Sequence, residues 1–138
     1  MVDQRVLFVI HWLHVFLGVY WIGTVMYTRT QLFPSLRTLP PDHDAAVRSA
    51  LVTGRNRRLN AWIAIATVGL GLLRGLLARA LDDPTSSYGM TFLASAVLGL
   101  AMVVFLVAPG PRGPLLRKVY VAAFPVIFTF MILMRFGW

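Results

Sequence analysis

Residues 6–27 read VLFVIHWLHVFLGVYWIGTVMY, with no Asp, Glu, Lys or Arg among them. At about 1.5 Å of rise per residue, a helix of this length crosses the roughly 30 Å hydrocarbon core of a bilayer. Two histidines, His11 and His14, interrupt the apolar run. An ionisable ring at membrane depth costs free energy unless something binds it, so such a residue marks a functional site by default. The third histidine of the chain, His43, lies in a polar loop.

Working outward, three more apolar runs follow at about 59–81, 88–108 and 115–134. They explain a 138-residue composition that is 58% hydrophobic and 13% charged. In lipid every backbone N–H and C=O must be paired inside the protein, which selects helices or closed barrels. No period-2 alternation marks barrel strands. The expected fold is all-α: an integral membrane up-down four-helix bundle, one transmembrane domain over residues 1–138. The first run is too long for a cleaved leader, and no small-residue cleavage site follows it. The absence of cysteine excludes disulfides, cysteine–metal sites and thiol catalysis.

The net charge of +8 is spread between the hydrophobic runs rather than gathered on a soluble domain, so nucleic acid is not an expected partner. Its distribution follows the positive-inside rule. The loops after runs one and three carry nine basic residues: Arg29, Arg37, Arg48, Arg55, Arg57, Arg58, Arg112, Arg117 and Lys118. The other side carries four: Arg5, Arg74, Arg79 and Arg135. This asymmetry puts both Arg-rich loops in the cytoplasm and both termini outside.

Leu39-Pro40-Pro41-Asp42 breaks the chain after the first run, and Asp42 is a candidate N-cap for a short amphipathic helix over 43–52, with Gly54 ending it. The second run is rich in small residues. Gly71 and Gly75 form a GxxxG step that permits close helix approach, within the bundle or with another membrane subunit. Ser95 and Gly99 repeat the spacing in the third run. Residues 108–114, APGPRGP, predict a stiff turn, and Pro125 predicts a kink in the last helix that frees the Val121 carbonyl.

His11 and His14, three residues apart, project from one face of the first helix. Gly18 lies one turn beyond His14 and leaves room for a flat ligand beside the ring. A tetrapyrrole between helices needs this set: an imidazole for its metal, small residues along its plane, and aromatics such as Trp21 at its rim. Arg74 either snorkels to the surface or turns inward to meet an anionic group such as a cofactor carboxylate. Alternatively, the His14 ring satisfies itself on Thr67, Ser95 or the Val121 carbonyl. Copper on His11, His14 and methionine thioethers is a further possibility. The four runs contain no acidic residue, which disfavours carboxylate catalysis and proton-coupled transport.

The pattern His14-x6-Trp21-Ile22-Gly23-x3-Tyr27, followed by Arg29, Leu32, Phe33 and Pro34, resembles the first helix of the CopD/HemJ-like membrane proteins. Arg57-Arg58 before the second helix and Val121-x3-Pro125 in the last one extend the similarity of layout. That group includes copper-resistance D domains and HemJ-type protoporphyrinogen oxidases. The resemblance implies a four-helix membrane protein holding haem b, with His14 matching the family's helix-one histidine. Residues 88–92, YGMTF, lack the Lys or His that HemJ-like enzymes tend to carry there, which leaves a single-His or His–Met site. The expected function is therefore a small polytopic subunit that binds or flanks a tetrapyrrole in a membrane redox or photosynthetic complex, mainly as scaffold. A HemJ-like oxidase and a CopD-like copper permease are the alternatives. Expected partners are membrane lipid and other integral membrane subunits, in a bacterial inner membrane.

Overall fold

The computed structural model describes residues 3–51, 53–108 and 113–136. They form an all-α four-helix bundle without strands among the described residues. Its long helices are α1 (Gln4–Tyr27), α4 (Gly54–Leu77), α5 (Ser87–Val107) and α6 (Pro114–Phe136). Two short helices, α2 (Phe33–Leu36) and α3 (Pro41–Leu51), lie in the loop between α1 and α4. All four long helices are long and apolar enough to cross a membrane. Large apolar side chains point outward around the bundle, among them Phe8, Trp62 and Val97. In water that surface would be unstable; against lipid tails it costs nothing to expose.

The first helix outruns its apolar stretch. Asp3 caps it by accepting the Arg5 backbone N–H at 2.9 Å. Beyond Tyr27 the chain stays helical through a π-helical turn, Thr28–Leu32, and on through α2. The continuous apolar helix Gln4–Leu36 has 33 residues. The widened turn has a local cause in Pro34, which has no N–H and whose ring crowds the Thr30 carbonyl of a regular helix. Helix α3 starts at Pro41 rather than at the expected cap Asp42, because proline suits the first helical position. Asp42 and Asp44 then sit in its first turn and Arg48 in its last, as the helix dipole favours. Val52, the expected end of this helix, lies outside the described residues. Arg48 ties α3 back to the long helix: it bonds Asp44 at 2.5 Å, donates to the Phe33 carbonyl at 3.4 Å and lies 4.8 Å from the Phe33 ring centre.

Gly54, expected to end α3, instead opens α4, five residues before the expected start of that span. Thr53 is extended and its hydroxyl accepts the Asn56 N–H. Arg55, Arg57 and Arg58 thus lie on the helix itself. The other end of α4 closes at Leu77, four residues early. There the Ala80 N–H reaches the Gly75 carbonyl and the Arg79 N–H reaches the Leu76 carbonyl, both at 3.0 Å. This is a Schellman closure with Arg79 at the left-handed position, φ 59°. The turn to α5 is built on Asp83, whose carboxylate accepts from the Thr85 hydroxyl and from the Thr85 and Ser86 amides. Its backbone lies so close to Gly89 that an added Cβ there would stand 2.3 Å from the Asp83 carbonyl oxygen. Helix α6 runs unbroken through Pro125. Residues 109–112 of the expected stiff turn lie outside the described residues.

Each long helix packs on the next in the order α1, α4, α5, α6. Helices α1 and α6 meet over a short patch centred on Trp21. Trp21, Ala64, Met102, Tyr120, Ala123 and Phe124 are the buried core. Within it the Trp21 Nε1–H donates to the Tyr120 hydroxyl at 3.0 Å. The Phe124 ring stands edge-on to both Trp21 and Tyr120, and Phe105 stacks on Tyr120 at 4.8 Å. The phenol oxygen satisfies the indole N–H, which makes the large Trp21 ring acceptable inside the bundle.

Two consequences are measurable. An L-residue at left-handed φ costs about 1 kcal/mol, and the exposed Arg79–Asp82 pair at 3.7 Å offsets little of it. Arg79→Gly therefore raises stability in thermal unfolding of the detergent-solubilised protein by about 1 kcal/mol. The Thr85 hydroxyl, with the Thr85 and Ser86 amides, holds the Asp83 carboxyl below the usual carboxylate range. A depressed folded pKa means that the turn is supported above the ordinary carboxylate pKa and loses that support as pH falls through the lowered one. The Thr85 and Ser86 amide resonances should stay constant from neutral pH down to about pH 4 and move only below it.

Candidate functional site

The polar groups inside the bundle collect at the end opposite Trp21. His14, on the third turn of α1, faces α4. Its Nδ1 lies 2.7 Å from the Thr67 carbonyl oxygen. A carbonyl can only accept, so Nδ1 carries the proton and Nε2 keeps the lone pair. The neighbour that makes room for the ring is Gly71: a Cβ added there would stand 2.7 Å from His14 Cε1. Glycine at 71 thus admits the imidazole, and Thr67, one turn back along α4, orients it. The Thr67 hydroxyl is spent on its own helix, donating to the Ile63 carbonyl at 2.7 Å. Ser95 does the same towards Thr91. Of the three acceptors expected for a self-satisfied ring, the histidine takes the Thr67 main chain.

His11 lies one turn nearer the start of α1, its ring centre 6.5 Å from that of His14. It is exposed, whereas His14 is half-buried. Arg74, three residues beyond Gly71, is half-buried and turned towards the neighbouring helix. Its Nη1 donates to the Tyr88 hydroxyl of α5 at 3.1 Å, and its Nε is buried without an acceptor. The Arg74 charge acts on both imidazoles, and that of Arg135, at the end of α6, acts on His11. The contacts of the cluster thus come from α1, α4 and α5. Tyr88 was not anticipated from the sequence. The signal for it was the short turn after Asp82-Asp83, which brings the first turn of α5 opposite the last turn of α4.

Two expected site residues lie elsewhere. Gly18 faces α4 and is covered by Thr67, whose Cγ2 would be 3.6 Å from an added Cβ. That is ordinary contact distance, so a methyl group would fit at 18 without a clash. Trp21 belongs to the aromatic core with Tyr120 and Phe124, about 10 Å further along α1. The glycine step is likewise used within the chain. Gly71 receives His14 from α1, and Gly75 receives Phe92 from α5, with ring atoms only 1.9 Å from where a Cβ would be.

Chemically, the cluster offers one neutral imidazole with a fixed tautomer, a second imidazole nearby, and a guanidinium with an unused buried donor. A metal-bound histidine characteristically donates its other ring N–H to a carbonyl or carboxylate, and His14 has that partner in place. Among the described residues no other side chain or carbonyl pairs with Nε2. His14 is thus the residue that would hold a metal here, through Nε2. No group of three or more His, Cys, Asp or Glu comes together among the described residues. Comparison of the chain with protein-family models, curated proteins and solved structures returned no match.

The contact between Gly71 and His14 is open to test. Gly71→Ala forces the ring off the Thr67 carbonyl and destabilises the protein by about 1–3 kcal/mol in thermal unfolding. His14→Ala, which removes the ring, recovers most of that loss in the double variant, so the cycle shows a large favourable coupling.

Proposed function

We propose that this chain is a small polytopic subunit of a bacterial inner-membrane redox or photosynthetic assembly, binding or flanking a tetrapyrrole such as haem b at His14. Its role is mainly to scaffold the group. The observation that carries the reading is the Nδ1–H···O=C bond from His14 to Thr67, which leaves the Nε2 lone pair of a half-buried residue without a partner among the described residues. The resemblance of residues 14–34 to CopD/HemJ-like proteins supports the same residue. A bound haem would supply one-electron redox chemistry.

The chain's own contributions are physical. Thr67 and Gly71 hold the imidazole in one rotamer and one tautomer. Arg74 places a positive charge beside it, suited to an acidic substituent on the ligand. The outward faces of α1, bearing Phe8, Trp12 and Phe16, offer large apolar area to lipid or to other membrane subunits. Nine basic residues on the α2–α3 and α5–α6 loop side against four on the other put the His14 end outside the cytoplasm.

A pigment spectrum of protein purified from its native membrane in mild detergent tests the reading. A Soret band is expected, and it should fall at least tenfold in His14→Ala while circular dichroism shows the helices intact. A band unchanged in both His14→Ala and His14→Gln would overturn it. Turnover of protoporphyrinogen by the purified chain would favour the oxidase instead, and stoichiometric copper without pigment the permease.

A further inference from the structure

Arg74 lies three residues from the end of α4, Tyr88 is the second residue of α5, and Arg135 is the last but one of α6. All three sit where apolar helix meets the membrane surface, which is the depth of lipid phosphates. Arg74 is half-buried there, yet it has no acid partner. Asp82 goes to Arg79, and Asp83 to Thr85 and Ser86. Asp3 caps α1, and Asp44 pairs with Arg48 in the loop between α1 and α4. Asp42 lies in that same loop, on α3. The Arg74 Nε is the one buried side-chain polar atom among the described residues that lacks a partner. A buried guanidinium donor left unpaired is costly, and retaining it implies an acceptor brought from outside.

The neighbouring groups suit an oxyanion. The Tyr88 hydroxyl accepts from Arg74 Nη1, so its own proton is free to be donated. Arg135 adds a further positive charge felt at His11, and His11 adds a ring nitrogen at the same end of α1. We infer that Arg74 and Tyr88, backed by His11 and Arg135, form a specific seat for the phosphate of an anionic membrane lipid. This does not rest on a pigment at His14. Arg74 carries the seat through its planar fork, whereas Arg79, with its side chain 82% exposed, contributes only diffuse surface charge.

Purified protein is stripped of lipid in detergent, and its melting temperature is followed as phosphatidylglycerol, phosphatidylcholine or inorganic phosphate is added. Phosphatidylglycerol should raise it saturably at low molar ratio, while phosphatidylcholine and inorganic phosphate leave it unchanged. Arg74→Gln and Tyr88→Phe should each weaken the apparent lipid affinity, the former by about tenfold or more. Arg79→Gln should leave it as in the parent. Tyr88→Phe keeps the ring packing, so it reports on the seat even if Arg74→Gln folds poorly. Equal stabilisation by the zwitterionic lipid, stabilisation by inorganic phosphate alone, or equal losses in Arg74→Gln and Arg79→Gln would each overturn the inference. The pigment spectrum of the same preparations is read separately, so loss of the Soret reading leaves the lipid result standing, and the reverse.

Discussion

The bundle depends on α4 being bare where its neighbours touch it. Helices in lipid gain no hydrophobic drive from meeting each other, so they associate through close packing and hydrogen bonds. Helix α4 provides the packing by omission. Gly71 has no side chain and takes the His14 ring; Gly75 has none and takes the Phe92 ring; Ala64 is fully buried. Two residues four apart thus serve two different helices. The same absence of a Cβ that lets α1 close on α4 brings an imidazole to the Thr67 carbonyl. Packing and candidate chemistry share one cause.

The two ends of the bundle solve the problem of polar groups differently. At the Trp21 end, Trp21 and Tyr120 bond each other inside an aromatic cluster, and the polar atoms cancel within the chain. At the His14 end the account does not close. The imidazole spends one nitrogen on Thr67, and the guanidinium spends one on Tyr88, but Arg74 Nε has nothing. The first end is stable as it stands. The second is the end with chemistry left over.

Much of this was legible in residue order. The four long helices follow from apolar runs of bilayer length, and the singling out of His14 and Arg74 follows from the cost of placing polar groups within them. Helix ends were less legible. Gly54 reads as a terminator but follows a Thr53 cap and opens α4; the first helix, expected to end at Tyr27, runs on through a π-helical turn past Pro34. In both cases the local residue permits two outcomes, and the hydrogen-bond register of the flanking helix selects one. Tyr88 was invisible as a site residue, because nothing in its own neighbourhood of the chain mentions Arg74.

Chain order alone thus settles that the protein is a bundle of membrane-length helices with ionisable groups at one depth, because the bilayer's thickness and its lack of hydrogen-bonding partners leave no other backbone solution. Folding in three dimensions settles which groups meet. Gly18 stands opposite Thr67 at ordinary contact distance, while Gly71, fifty-three residues further along, is the glycine that admits the ring. Trp21, read as a ligand's rim, belongs to the aromatic core. Such contacts depend on the rotation and closeness of helices distant in sequence, and these follow from the fit of side chains into the gaps that glycine leaves rather than from any pattern along one helix.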